Sequence, residues 1–475
     1  MLVHFPRLKG VQNKGIQSII WQKKFRSQSF PLHSRPFFLP GPHFFVPMYL
    51  SRRMDILIRQ ARLTDPAAPL HGQAVDIAIR NGIIQEIAPT LSLRADQVIE
   101  AAGHDVSPGF VDLFAHFCDP GEEHRETIES GAAAAAAGGY TDVLVVPNTQ
   151  PCTHSKSTVE YLLEKSRRTA VNLHPIGALT RNTEGKELAE LYDMHASGTR
   201  AFSDGWKPVQ SGGLLVKALQ YVLPIDATII QLPDDRSFNP GGLMHEGVVS
   251  TQLGLPGRPS MAEELMVARD IELLRYTGSK LHLTGISTAG SLERIRRAKQ
   301  ERLRVSCSVT PYHLLFTDED LRGYDTYLKV NPPLRTAADR DALRTGVADG
   351  TIDCIASHHL PQDSDHKIIE FEYAAFGMIG LQTAFAAVCT ALPQLGSEKL
   401  AALFGGNARQ LFGLPGGRIA TGEPAALTLF RPGHPFAFSA LHNKSRSANS
   451  PFLNQSLTGS ITGTIHKGSV FLNTI

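Results

Sequence analysis

From Met54 onward the chain alternates apolar and polar residues in "MDILIRQARLTDP", "AVDIAIRNGIIQEIAP" and "QVIEAAGHDVSP". A period of two that ends in turn residues predicts half-buried antiparallel strands. The same pattern returns at the far end, in "EPAALTLFRP" and "GSITGTIHKGSVFL". The two ends are therefore expected to form one small β-sandwich from residues 54–107 and 415–475, with a separate domain over 108–414 between them.

In that middle region the pattern changes to short continuous apolar runs, each followed by an amphipathic stretch. "GFVDLFAH" leads to "TIESGAAAAAAGG", "YTDVLVVPN" to "STVEYLLEKSRR", "NLHPIGAL" to "GKELAELYDM", and "GTRAFSD" to "GGLLVKALQYV". "DATIIQLPD", "SKLHLTGIS", "LRVSCSVTP" and "TIDCIASHH" bring the strand candidates to eight. Strands alternating with helices imply a parallel sheet, and eight such units predict an α/β fold of the (β/α)8 TIM-barrel type, with chemistry at the carboxyl ends of the strands.

Composition leaves this picture intact: 42% hydrophobic and 19% charged residues over 475 positions describe an ordinary globular chain. Apolar runs such as "VLVVP" and "ATIIQL" fall well short of a bilayer span, so no membrane helix is expected. Five cysteines, Cys118, Cys152, Cys307, Cys354 and Cys389, are scattered without a CxxC pair, which argues against a disulfide framework or a cysteine zinc cluster and fits a reducing cytoplasm. Charge is distributed unevenly. Residues 1–53 hold nine Lys or Arg and no acid, whereas the remainder is mildly acidic and has no basic stripe for nucleic acid. The leader reads as a transit peptide, a disordered arm or upstream sequence before a misplaced start; the abrupt onset of strand pattern favours the last, with Met48 or Met54 as first residue.

Candidate chemistry begins in "SPGFVDLFAHFCDPG", where Phe114 and His116 stand two apart and so share one face of a strand. Two histidines at that spacing would make half of a metal site, but one of the two is phenylalanine.

The segments "SPGFVDLFAHFCDPGEEHRETIESGAAAAAAGGYTDVLVVPNTQP", "GALTRNTEGKELAEL", "HEGVVSTQLGLPGRPSMAEELMVARD", "KVNPPLRTAADRDAL", "DGTIDCIASHHLP" and "FGMIGLQTA" resemble the dihydroorotases of the amidohydrolase superfamily, from about Met54 to the C-terminus. The resemblance implies a zinc-dependent cyclic amidase of pyrimidine biosynthesis, in which metal activates water and a strand-8 aspartate passes the proton. It also implies a set of ligand positions, and most are altered here. Phe114 replaces the first histidine of the strand-1 pair, leaving His116. Asp204 is a surviving carboxylate after strand 4, Gln231 and Gly285 fall at the strand-5 and strand-6 histidines, and His358, followed by His359, falls at the aspartate. Gln362 takes the place of a further loop histidine, Cys118 that of the substrate-clamping arginine, and Asn148 matches the family's substrate-binding asparagine.

This pattern is similar to a non-catalytic branch of dihydroorotase homologues, which pair with aspartate carbamoyltransferase. It implies no catalytic residue, no metal or other cofactor, and a homo- or hetero-oligomeric interaction protein. The alternative is an active cyclic amidohydrolase whose zinc is held by His116, Asp204 and His358 or His359, a histidine carrying the proton. Each of these residues also has a structural reading: His116 as a hydrogen-bonded interior histidine, Asp204 as a cap for a helix near Ser211 or a ligand of backbone amides, Asn148 as part of a proline turn.

Overall fold

The structure, a computed structural model, describes residues 54–473; the basic leader, and with it the misplaced-start expectation, lies outside the described residues. In β1 (Ile56–Leu63) alternation sends Ile56 and Ile58 to one core and Leu57 to a small cluster with Ala78 and Leu91, so the strand begins buried on both faces and not half-buried as expected. It pairs antiparallel with β2 (Ala74–Arg80), which pairs with β3 (Ile83–Ala88), and parallel with β4 (Gln97–Glu100) and β5 (Asp105–Pro108).

The barrel follows. Its strands are β6 (Phe110–Ala115), β7 (Tyr140–Val145), β8 (Asn172–Pro175), β9 (Ala201–Phe202) and β10 (Thr228–Gln231). After a short pair outside the barrel, β11 (Met244–His245) with β12 (Gly257–Arg258), come β13 (Leu281–Leu283), β14 (Val305–Val309) and β15 (Cys354–Ile355). All neighbours are parallel. A bridge from Gly177 to Phe202 joins the two groups of strands, and the His116 amide donating to the His359 carbonyl at 2.9 Å closes the ring.

Around it lie α1 (Ile128–Ala137), α2 (Lys156–Ser166), α3 (Leu191–Ala196), α4 (Gly212–Val222), α5 (Val248–Leu253), α6 (Met261–Thr277), α7 (Ala289–Gln300) and α8 (Ala337–Asp349). The small residues of α1 permit close packing: a Cβ on Gly131 would lie 2.7 Å from the Phe117 ring. One helix is shorter than its sequence suggests. "GKELAELYDM" is helical only from Leu191, because the Thr180 backbone and hydroxyl are engaged by Asp204 and residues 180–189 fold back, with Thr180 bridging to Leu188.

The last strands, β16 (Leu427–Ala437), β17 (Ser456–His466) and β18 (Ser469–Leu472), return to the first: β16 pairs antiparallel with β5. The resulting sheet runs β18-β17-β16-β5-β1-β2-β3, with β4 on β1, and shares one core through Ile58, Ile77, Val106, Leu427 and Ile465. Both chain ends thus build the β unit beside a (β/α)8 barrel. Among the described residues no helix is long and apolar enough to cross a membrane.

Candidate functional site at the barrel mouth

Strand alternation sends Phe114, near the end of β6, to the mouth, where it is fully buried with its ring 4.7 Å from His358 and 4.8 Å from Trp206. His358 leaves the line of β15 with φ 47°, so its imidazole turns into this aromatic cluster, and its Nε2 lies 2.8 Å from Thr284 Oγ1. Burial holds its pKa well below the ordinary histidine value, so the ring is neutral. Gly285 supplies the space: a Cβ there would stand 2.7 Å from His358 Cε1 and 3.0 Å from Leu232 Cδ1. The substitutions at 114, 285 and 358 therefore interlock as one packed unit, in which the imidazole occupies the room that a side chain at 285 would need.

His116 is held by a different network. Its Nε2 lies 2.9 Å from the Asn148 carbonyl, which can only accept, so Nε2 bears the proton. Nδ1 then accepts, from the Cys118 amide at 3.2 Å and from the Cys118 thiol at 3.0 Å. Burial pushes the thiol up to about 12 and the imidazole down to about 4, so both stay neutral. Glu122 completes the one group among the described residues whose three ligand atoms lie within 4.8 Å of one another, yet its carboxylate is paired with Arg125 at 2.6 Å. This is the interior, hydrogen-bonded histidine of the structural reading.

Asp204 is buried, and its carboxylate accepts from the backbone and hydroxyl of Thr180. Burial raises its pKa to about 6. It does not cap the following helix, since Ser211 caps α4 itself through the Leu214 amide. Asn148 ties down the same loop: Oδ1 accepts from the Trp206 amide at 3.0 Å and Nδ2 donates to the Asp204 carbonyl at 3.0 Å. Gly205, at φ 59°, is required beneath it, because a Cβ would fall 1.8 Å from Asn148 Oδ1. Asn148→Ala is therefore expected to act on stability, leaving two backbone groups unpaired at a cost of about 2 kcal/mol. A shift in the urea midpoint checks this, and an unchanged midpoint would count against the clamp.

Two sequence expectations need correction. Gln231 does not face the mouth: its amide lies 3.5 Å from Asp270 Oδ2 on α6 and 3.5 Å from the Val209 amide, on the helix side of β10. Leu232, one residue on, borders Gly285 instead, and strand alternation counted from the end of β10 is the signal that would have found it. The second correction concerns the reduced metal set. His359 points away from His358, its Nδ1 accepting from the Gly380 amide at 3.2 Å and its Nε2 lying 3.4 Å from buried Glu126. Glu126 also receives the Arg446 amide and the Ser445 hydroxyl, fastening the 445–447 segment to the barrel. Gln362 donates to the Phe376 carbonyl. Among the described residues, no three of His116, Asp204, His358 and His359 bring ligand atoms within 4.8 Å of one another. Zinc needs about four convergent donors, three of them usually from protein, and the groups here do not fit it.

Residues 103–291 match the family described as Dihydro-orotase-like. The dihydroorotase of Pelotomaculum thermopropionicum is 40% identical over 88% of this chain and 99% of its own length; that of Acetivibrio thermocellus is 39% identical over 87% and 98%. The L-hydantoinase (dihydropyrimidinase) structure from Arthrobacter aurescens superposes with a TM-score of 0.77 at 23% identity, over 88% of this chain and 96% of that one, a likeness of fold. With its barrel and paired ends in place, and this identity sustained over nearly the whole length of those relatives, the chain belongs to the dihydroorotase family.

Proposed function

We propose that this protein is a dihydroorotase-like member of pyrimidine biosynthesis that has lost catalysis and serves, in the cytoplasm, as a structural partner of aspartate carbamoyltransferase. The observation that supports this reading is the interlocked packing of Phe114, Gly285 and His358, which replaces ligands by an aromatic and neutral filling. Amide hydrolysis at such a mouth requires a polarised carbonyl and an activated water. The surviving groups offer neither: His116 is saturated, Asp204 is bound to its own loop, and a neutral thiol stands at the arginine position. The active alternative needs His116, Asp204 and His358 or His359 to converge, and their present partners would all have to be released. A rigid barrel can still offer the roughly 800 Å² per side that a stable complex buries.

Three measurements test the proposal together. The purified protein is expected to hold no stoichiometric zinc after dialysis, to form no dihydroorotate from carbamoyl aspartate when zinc is added, and to co-purify as a hetero-oligomer with the aspartate carbamoyltransferase of its own cell. One zinc retained per chain, or turnover, overturns the loss of catalysis; a carbamoyltransferase that assembles and works unchanged without this protein overturns the partnership.

A further inference from the structure

At the base of the barrel, opposite the mouth, the amino ends of β10, β13, β14 and β15 meet the helix Asn407–Phe412 around an open cavity of about 430 Å³, enough for a small molecule. It shares no lining residue with the mouth. Its rim is positive. Lys280 and Arg304 both reach a single carboxylate, that of Asp226, and Lys280 also donates to the Asp226 carbonyl at 3.1 Å. The acid on the lining, Asp353, is already matched by Lys299 at 2.6 Å. Three cations against two carboxylates leave one positive charge in excess, and Arg304 keeps Nε and Nη1 without a partner among the described residues. The inner wall is neutral and poor in donors. Ser308 gives its hydroxyl proton to Thr284 at 2.9 Å and so accepts from His282 Nε2 at 3.0 Å. Burial holds the His282 pKa at about 3, so the neutral ring has no second proton, and its Nδ1 accepts from Ser306 Oγ at 2.8 Å. Ser306 therefore offers the cavity lone pairs only. Asn407 does the same through Oδ1, because its Nδ2 donates to the Asp353 carbonyl at 2.7 Å. The side chains of Thr228 and Gln410, also on the lining, have no hydrogen-bond partner among the described residues.

We propose that this basal cavity binds a small polyhydroxylated monocarboxylate, with its carboxylate on Arg304 and Lys280 and its hydroxyls on Ser306, Asn407, Gln410 and Thr228. One negative charge answers the excess at the rim, and the free edge of the Arg304 guanidinium suits the two oxygens of a carboxylate. Hydroxyls bring the donors that Ser306 and Asn407 require; an ammonium would bring donors too, but would add a cation to a lining already positive. The site lies at the opposite end of the barrel from the mouth and does not depend on the loss of catalysis there.

Isothermal titration calorimetry of the full chain with gluconate tests this, run at two temperatures so that a zero enthalpy at one cannot hide binding. Gluconate is expected to bind saturably at millimolar concentration. Sorbitol, which has the hydroxyls without the charge, and hexanoate, which has the charge without the hydroxyls, are each expected to bind at least about tenfold more weakly. Arg304→Met is expected to weaken gluconate by about tenfold; its exposed side chain pairs with an exposed acid, so the urea midpoint is expected to stay in place. Gln410→Leu, on another exposed residue, is expected to weaken gluconate by at least about threefold and to leave hexanoate unchanged. No saturable heat with gluconate, equal binding of sorbitol or hexanoate, or indifference of gluconate to either substitution each overturns the inference.

Discussion

Gly285→His, made alone, is expected to destabilise the barrel by about 3–5 kcal/mol, the combined effect of overpacking and of a Cβ at positive φ. The new Cβ would stand 2.7 Å from His358 Cε1, and φ is 67°. Adding His358→Asp removes the ring that causes the clash, so the double variant is expected to recover about 2 kcal/mol relative to the sum of the single changes. Urea unfolding of the four members of that cycle measures the coupling. If Gly285→His is tolerated without the second change, the interlocking of these positions is wrong. The cycle also defines the full restoration: Phe114→His, Cys118→Arg, Leu232→His, Gly285→His and His358→Asp together are expected to regain zinc. The same set with Gln231→His in place of Leu232→His is expected not to, since that side chain faces α6.

The second large effect is acid lability. Burial holds His116, His245, His313 and His466 down to about 4, His282 to about 3, and His358 well below its ordinary value. Below the unfolded value of about 6.5, the unfolded chain protonates these six rings while the folded chain refuses the protons, so stability falls as pH falls. Three carboxyls oppose this. Burial raises Asp204 and Asp270 to about 6 and also raises Asp112, so the folded state takes up their protons first. Six rings against two carboxyls held near 6, with Asp112 shifted in the same direction as those two, leave a net difference of about three to four protons near pH 5, or about 4–5 kcal/mol lost per pH unit there. With total stability of about 5–15 kcal/mol, unfolding is expected to set in near that pH. Equal urea midpoints at about pH 7 and pH 5 would refute this, and His313→Gln is expected to reduce the slope by about one proton.

The fold was readable because it is written in local periodicity. Alternation marks β1 to β3 and β16 to β18, and the recurrence of apolar run and amphipathic helix marks the eight barrel strands; a face that must be buried leaves its period in the residues whatever it packs against. The likeness of the two ends also anticipated their union in one sheet, although the β16–β5 register that joins them is a contact between residues more than 300 positions apart. The substitutions at Phe114 and Gly285 were equally legible, since a side chain without a ligand atom cannot bind metal in any geometry.

Which side chain faces the mouth was not legible, and the register at a strand end shows why. A displacement of one residue exchanges the faces of β10, so that Gln231 or Leu232 lies against Gly285 according to where the strand stops, and backbone hydrogen bonds with β9 and β13 decide that. The state of His116 likewise depends on the Asn148 carbonyl, 32 positions away, and on a thiol whose proton burial secures. The residues by themselves determined the architecture and the lack of a ligand atom at positions 114 and 285, because period and residue identity are properties of the chain. Only tertiary packing decided that Phe114, Gly285 and His358 fill one another's space, because fit exists only between groups brought together from distant strands.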